Sequence, residues 1–143
     1  MVSFFKSSVV DLKTVMSHFS NIKTQIRNLS SLQAALTELS LDWKSGPSPV
    51  RGYRGQTHTA EVVIEQDNDY DIGFSWNGKE YELVADLQYW QQPLSVDGFL
   101  NRVTQHYAYH TVMSEASKQG FQVAEQQKNN DGSIRLVMQR WSA

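Results

Sequence analysis

The sequence predicts an α+β domain: an antiparallel-rich sheet with two helices packed on one face. Three observations carry that reading. An Asn77-Gly78 step joins two alternating apolar runs, which is the strongest short-range sign of a β-hairpin. Helical periodicity follows Ser95 over more than twenty residues, and a shorter helical repeat follows Ser30. The expected order is β-α-β-β-β-α-β-β.

Each element has its own signal. Ser20, Ile22, Thr24 and Ile26 alternate with Asn21, Lys23 and Gln25, a period of two that makes a first strand. Ser30 stands where a helix cap belongs and Gln33 at the capping-box position. Leu32, Ala35, Leu36 and Leu39 then share one helical face, so the first helix is expected over roughly 31–40. Residues 44–59 read as a long loop. Val62 and Ile64 mark a strand from Ala60 to Gln66. A two-residue turn at Asn77-Gly78 pairs Trp76 with Lys79, Phe74 with Tyr81 and Ile72 with Leu83, all on one face. Pro93 and Ser95 open the long helix, Val96 to Lys118, whose apolar face is Val96, Phe99, Leu100, Val103 and Tyr107. Gly120 closes it. A last hairpin, Phe121–Gln127 and Ser133–Trp141, turns at Asn129-Asn130-Asp131-Gly132.

The chain has 143 residues, enough for one domain with a real core. That domain is expected over 16–143, with 1–15 an N-terminal extension that is either flexible or not native. The net charge of -2 supplies no global attraction to nucleic acid or membrane, so any basic site is local. The absence of cysteine excludes disulfides, thiolate catalysis and Cys-type metal sites. No apolar run approaches the ~20 residues of a membrane helix, and the N-terminus lacks the continuous apolar core of a signal peptide.

The most unusual segment is 44–59, with three Gly, two Pro, three fixed cations and no acid. Loops this long in small domains are mostly functional or disordered. Lys44, Arg51, Tyr53, Arg54 and His58 are therefore the candidate anion- or partner-binding residues. Glycine would free backbone N–H groups as a donor nest, and the two arginines add forked donors. The competing reading pairs the arginines with the sheet's own acids, such as Glu61 and Glu65. The segment matches neither a phosphate-binding Walker loop nor a dinucleotide fingerprint.

Other clusters are weaker. His106 and His110 stand four apart on the long helix, a spacing a metal can bridge. The zinc-protease glutamate is replaced by Tyr107 and no cysteine is available, so histidines hydrogen-bonded at the helix–sheet boundary are the preferred reading. Asp67, Asp69 and Asp71 lack the turn glycine and the terminal glutamate of a calcium loop and read as a solvated turn. Glu80 and Glu82 read as the wet face of a strand, whereas Asp86 lies among aromatics. Trp43, Trp76, Tyr89, Trp90 and Trp141 divide between core and interface anchors. No cofactor and no metal site is expected.

Five blocks, Met16–Ile26, Val50–Gln56, Tyr81–Leu87, Tyr107–His110 and Gly132–Leu136, closely resemble a plastid and cyanobacterial family of unknown function, hypothetical chloroplast reading frame thirty-five. The resemblance covers 16–143 and leaves 1–15 outside. It implies a soluble protein of the cyanobacterial cytoplasm or plastid stroma, and it brings no catalytic residues. The favoured expectation is a non-enzymatic accessory protein that docks an acidic protein or anionic ligand through 44–59, without membrane insertion. The alternatives are a metal- or nucleotide-dependent enzyme using His106, His110 and Asp86, and an RNA-binding module in which Tyr53 stacks on bases.

Overall fold

The computed structural model describes residues 19–140. The extension 1–15, the domain start at Met16, His18 and Trp141 lie outside the described residues. The chain runs β1 (Ser20–Ile26), α1 (Leu29–Glu38), β2 (Trp43–Arg51), β3 (Thr57–Ile64), β4 (Ile72–Trp76), β5 (Tyr81–Ala85), α2 (Val96–Lys118), β6 (Phe121–Lys128) and β7 (Ile134–Arg140). The α+β class is as expected. One strand more than expected is present: the first half of the segment read as a loop, 44–51, belongs to β2, paired antiparallel to β3.

β1 to β5 form one sheet in the order β1-β5-β4-β3-β2, and β6 and β7 form a separate two-stranded sheet. β2 is thus an edge. Its prolines are tolerated because an edge strand has one side with no hydrogen bonds to supply. A bulge between Ser45 and Ser48 absorbs Gly46-Pro47.

Both helices lie on one face. Leu32 and Leu36 of α1 and Phe99 and Val103 of α2 meet Ile26, Val62, Ile64, Ile72, Phe74 and Leu83 of the sheet, all buried. At about 25 cal/mol per Å² of apolar surface this cluster is the main stabilising element. α1 is capped by Asn28, whose side chain accepts from Ser31 N, rather than by Ser30. The helix therefore starts earlier, at Leu29. Tyr107 of α2 accepts from the backbone N–H groups of Arg27 and Asn28 at 3.1 Å each, tying the long helix to the start of α1.

The opposite face is only partly covered, where Val50 of β2 packs over Gly73 of β4. Val50, Ala60 and Val63 form a second small cluster there with Phe19 against it. A Cβ on Gly73 would lie 2.4 Å from Val50 Cγ2, so β4 needs glycine where the ribbon folds onto it.

The central hairpin turns one residue later than expected. Trp76 pairs with Tyr81 and Phe74 with Leu83, which centres the turn on Gly78-Lys79. Asn77 Oδ1 accepts from the N–H groups of Lys79 and Glu80, so the side chain takes the place of a strand residue. Moving the centre by one residue shifts partners by two and leaves the side chains of β4 and β5 on their expected faces. Glu80 consequently sits in the turn and is buried, not on a wet face. It accepts from Gln25 N at 2.9 Å, the N–H released by the β1 bulge.

Candidate functional site

The tip of the β2–β3 ribbon is a single 3-10 turn, Tyr53–Gly55, between the two strands. Arg54 and Gly55 both adopt left-handed backbone, at φ 55° and 73°. For arginine that conformation costs on the order of 1 kcal/mol. It aims the guanidinium back over the Tyr53 ring, 5.1 Å from the centroid.

Tyr53 continues into a ring stack. Its ring lies parallel to Tyr89, with centroids 6.1 Å apart, and Tyr89 stacks on Tyr70 at 4.0 Å. Desolvation, with Tyr70 and Tyr53 alongside, pushes the Tyr89 phenol above its ordinary value. Three strands' connections thus supply one aromatic surface capped by a cation. The sequence offered Tyr53 and Arg54 together, but Tyr70 and Tyr89 are brought in only by the fold.

The other cations of the segment are internally committed. Arg51 donates to Asp71 from Nε and from one terminal nitrogen, each at 2.8 Å. It also reaches Asp69 at 3.0 Å and Glu65 at 3.4 Å. Lys44 pairs with Glu65 at 3.2 Å. The segment contains no acid, but the β3–β4 connection places three against it. That finding corrects the reading of 44–59 as an open cationic loop; Asp67 and Asp69 lie exposed in a solvated turn as expected, and only Asp71 departs from it. Asp71 is only 2% exposed. Burial raises its carboxyl, but the hydrogen bonds and charge of Arg51 outweigh this and hold it below the usual carboxylate range. Hydrogen bonds to Asp71 raise the Arg51 guanidinium in turn.

The expected donor nest is also partly occupied. Gly52 N donates to Gln56 O at 2.8 Å and Gln56 N to Tyr53 O at 3.2 Å. His58 places Nδ1 3.0 Å from Thr59 O and its ring edge-on to Phe19. Arg54 is exposed and makes no ion pair among the described residues. Of the five candidates, Tyr53 and Arg54 share the outward surface, while Lys44 and Arg51 brace the ribbon.

His106 and His110 converge on one carboxylate. Nδ1 of His106 lies 2.6 Å from Glu38 Oε1, and Nε2 of His110 lies 2.6 Å from Glu38 Oε2. The i, i+4 spacing thus serves a clamp between α2 and α1. Burial pushes the Glu38 carboxyl up, but the hydrogen bonds from both histidines outweigh it and hold the group below its ordinary value. Among the described residues no three His, Asp or Glu side chains are placed to hold a metal ion. Asp86 is buried, its Oδ1 accepting from Gln88 N to cap the short turn Leu87–Tyr89. Trp90 packs edge-on against Phe99 in the main core, so the neighbouring rings of Tyr89 and Trp90 serve different ends.

No helix among the described residues is long and apolar enough to cross a membrane. No solved structure matches the chain. Residues 35–137 match the family model described as Protein of unknown function (DUF1257). The chain is 48% identical over 126 residues to the uncharacterized protein ycf35 of Guillardia theta, covering 88% of this chain and 98% of that one. It is 45% identical over 127 residues to the ycf35 protein of Pyropia yezoensis, covering 89% and 99%. The corresponding figures for the ycf35 protein of Cyanophora paradoxa are 44%, 126 residues, 88% and 98%. The resemblance read from the five sequence blocks is thereby established, and the chain belongs to the DUF1257 family of proteins of unknown function.

Proposed function

We propose that this chain is a non-enzymatic binding protein of photosynthetic cells, acting in the cyanobacterial cytoplasm or plastid stroma, that docks an acidic protein through the tip of the β2–β3 ribbon. The supporting observation is Arg54: an exposed cation held in left-handed backbone over Tyr53, at the end of a three-tyrosine stack. Tyrosine and arginine are the residue types that anchor protein interfaces, because they offer a large contact area and directional polar groups at modest entropic cost. Lys44 and Arg51 fix the ribbon that carries the tip, and His58, opposite Val50, lies next to the tip. The plastid reading-frame names of the relatives support the compartment.

The test is affinity purification from a cyanobacterial or plastid extract with wild type and a Tyr53→Ala/Arg54→Ala variant. A protein retained by wild type, lost with the double variant and released by moderate salt is the expected result. Identical partner sets for the two baits overturn the proposal.

A further inference from the structure

A concave surface, apart from the ribbon tip, lies between α2 and the turn of the β6–β7 hairpin. It is a cleft of about 540 Å³, within the usual range for small-molecule sites. Its wall is unusually polar. Arg102 of α2 and Lys128 of β6 both line it, together with the carboxamides of Asn101, Gln105, Gln126 and Asn130. No ion pair among the described residues involves Arg102 or Lys128, and the side chains of Asn101, Gln105 and Asn130 make no hydrogen bond there.

Two acids also line the cleft, and both are engaged elsewhere. Glu38 is held by His106 and His110. Asp131 accepts from Ser133 N at 2.9 Å and Ser133 Oγ at 2.6 Å within its own turn. These bonds hold the Asp131 carboxyl below its ordinary value. The cleft therefore offers two uncommitted cations, and its carboxylates already have donors.

We propose that this cleft binds a phosphorylated polyol or sugar of hexose size. The dianionic phosphate would sit between Arg102 and Lys128, whose donors suit its several acceptor oxygens. Carboxamides supply both a donor and an acceptor, which matches hydroxyl groups that are themselves both. A flat apolar ligand finds little here, because Ile134 and Tyr109 are the main apolar contributions to the wall.

Isothermal titration of the full chain with glucose 6-phosphate, inorganic phosphate and free glucose tests this. Glucose 6-phosphate is expected to bind, and an Arg102→Ala/Lys128→Ala variant to lose at least about tenfold in affinity, since charge-assisted hydrogen bonds are lost. Arg54→Ala, on the other surface, is expected to bind as wild type does. Lys128→Gln alone serves if circular dichroism shows the double variant unfolded, with weakening again expected. No binding of glucose 6-phosphate at millimolar concentration overturns the proposal. So does unchanged affinity in the folded cation variants, or free glucose binding equally well. Inorganic phosphate binding as tightly as glucose 6-phosphate overturns the role given to the carboxamides.

Discussion

Arg51 and Asp71 are joined by four hydrogen bonds, two of which involve the main chain. Arg51 N donates to Asp71 Oδ2, Asp71 N donates to Arg51 O, and the guanidinium makes two bonds to the carboxylate. The pair locks the end of edge strand β2 to the start of β4, across twenty residues of chain. A buried carboxylate is costly alone, so this site depends on its partner more than on net charge.

Arg51→Ala should therefore act on the fold. Removing it leaves Asp71 buried without its guanidinium and is expected to cost about 2–3 kcal/mol. That corresponds to a melting temperature lower by roughly 6–12 °C for a domain of this size. Arg54→Ala, on an exposed tip, should stay within about 0.5 kcal/mol of wild type. Thermal melts of the two variants side by side check the division. Equal losses would refute the assignment of Arg51 as a brace.

Acid should find the same site. The carboxyls of Asp71 and Glu38 are both depressed in the folded chain, so each contributes stability above its unfolded value. That contribution is lost as pH falls from about 5 through the folded values. Urea midpoints are expected to be flat near neutrality and to drop steeply below about pH 4. In Asp71→Asn with Glu38→Gln the acid limb should flatten, because both titrations are gone, although the midpoint at pH 7 is lower. A variant that keeps the wild-type slope would place the acid sensitivity elsewhere.

The clamp of His106 and His110 on Glu38 predicts coupling between helices. Each contact is partly exposed, so each is expected to contribute only about 0.5–1 kcal/mol. Glu38→Ala should cost about as much as the His106→Ala/His110→Ala double variant, and the triple variant little more than either. Denaturation of the four chains forms the cycle. Additive losses would mean that the histidines act independently of the carboxylate.

What was legible in the sequence was local. The alternation from Ser20 to Ile26, the helical face of Val103 and Phe99, and the central turn all rest on neighbours within a few residues. The hairpin register was off by two, but the faces survived because the side-chain period is two. β2 is hidden from the sequence because Gly46, Pro47 and Pro49 are loop punctuation, and only its position at the sheet edge makes them acceptable. The partners of the segment's cations were out of local reach for a related reason. Arg51 looked unopposed because its acids lie fourteen to twenty residues onward, and Glu38 lies 68 residues from His106. The expectation that arginines pair with the sheet's acids, Glu65 among them, was the better one for Arg51. Arg54 alone among the segment's fixed cations keeps the outward role.

Gly46 offers the sharpest test of the edge strand itself. A Cβ there would lie 2.1 Å from Ala60 O and 2.7 Å from Ser48 N, both main-chain atoms that cannot swing away. The bulge brings β2 this close to β3, and only a residue without a side chain fits. Gly46→Ala is expected to destabilise by about 2 kcal/mol or more, as overpacking against rigid neighbours does. Gly55→Ala meets open space and should cost only the strain of its positive φ, about 1 kcal/mol. Hydrogen exchange on Gly46→Ala should show faster exchange in β2 and at Ala60, with β4 and β5 protected as in wild type. Unchanged protection at Ala60 would mean that β2 does not pair with β3 through this bulge.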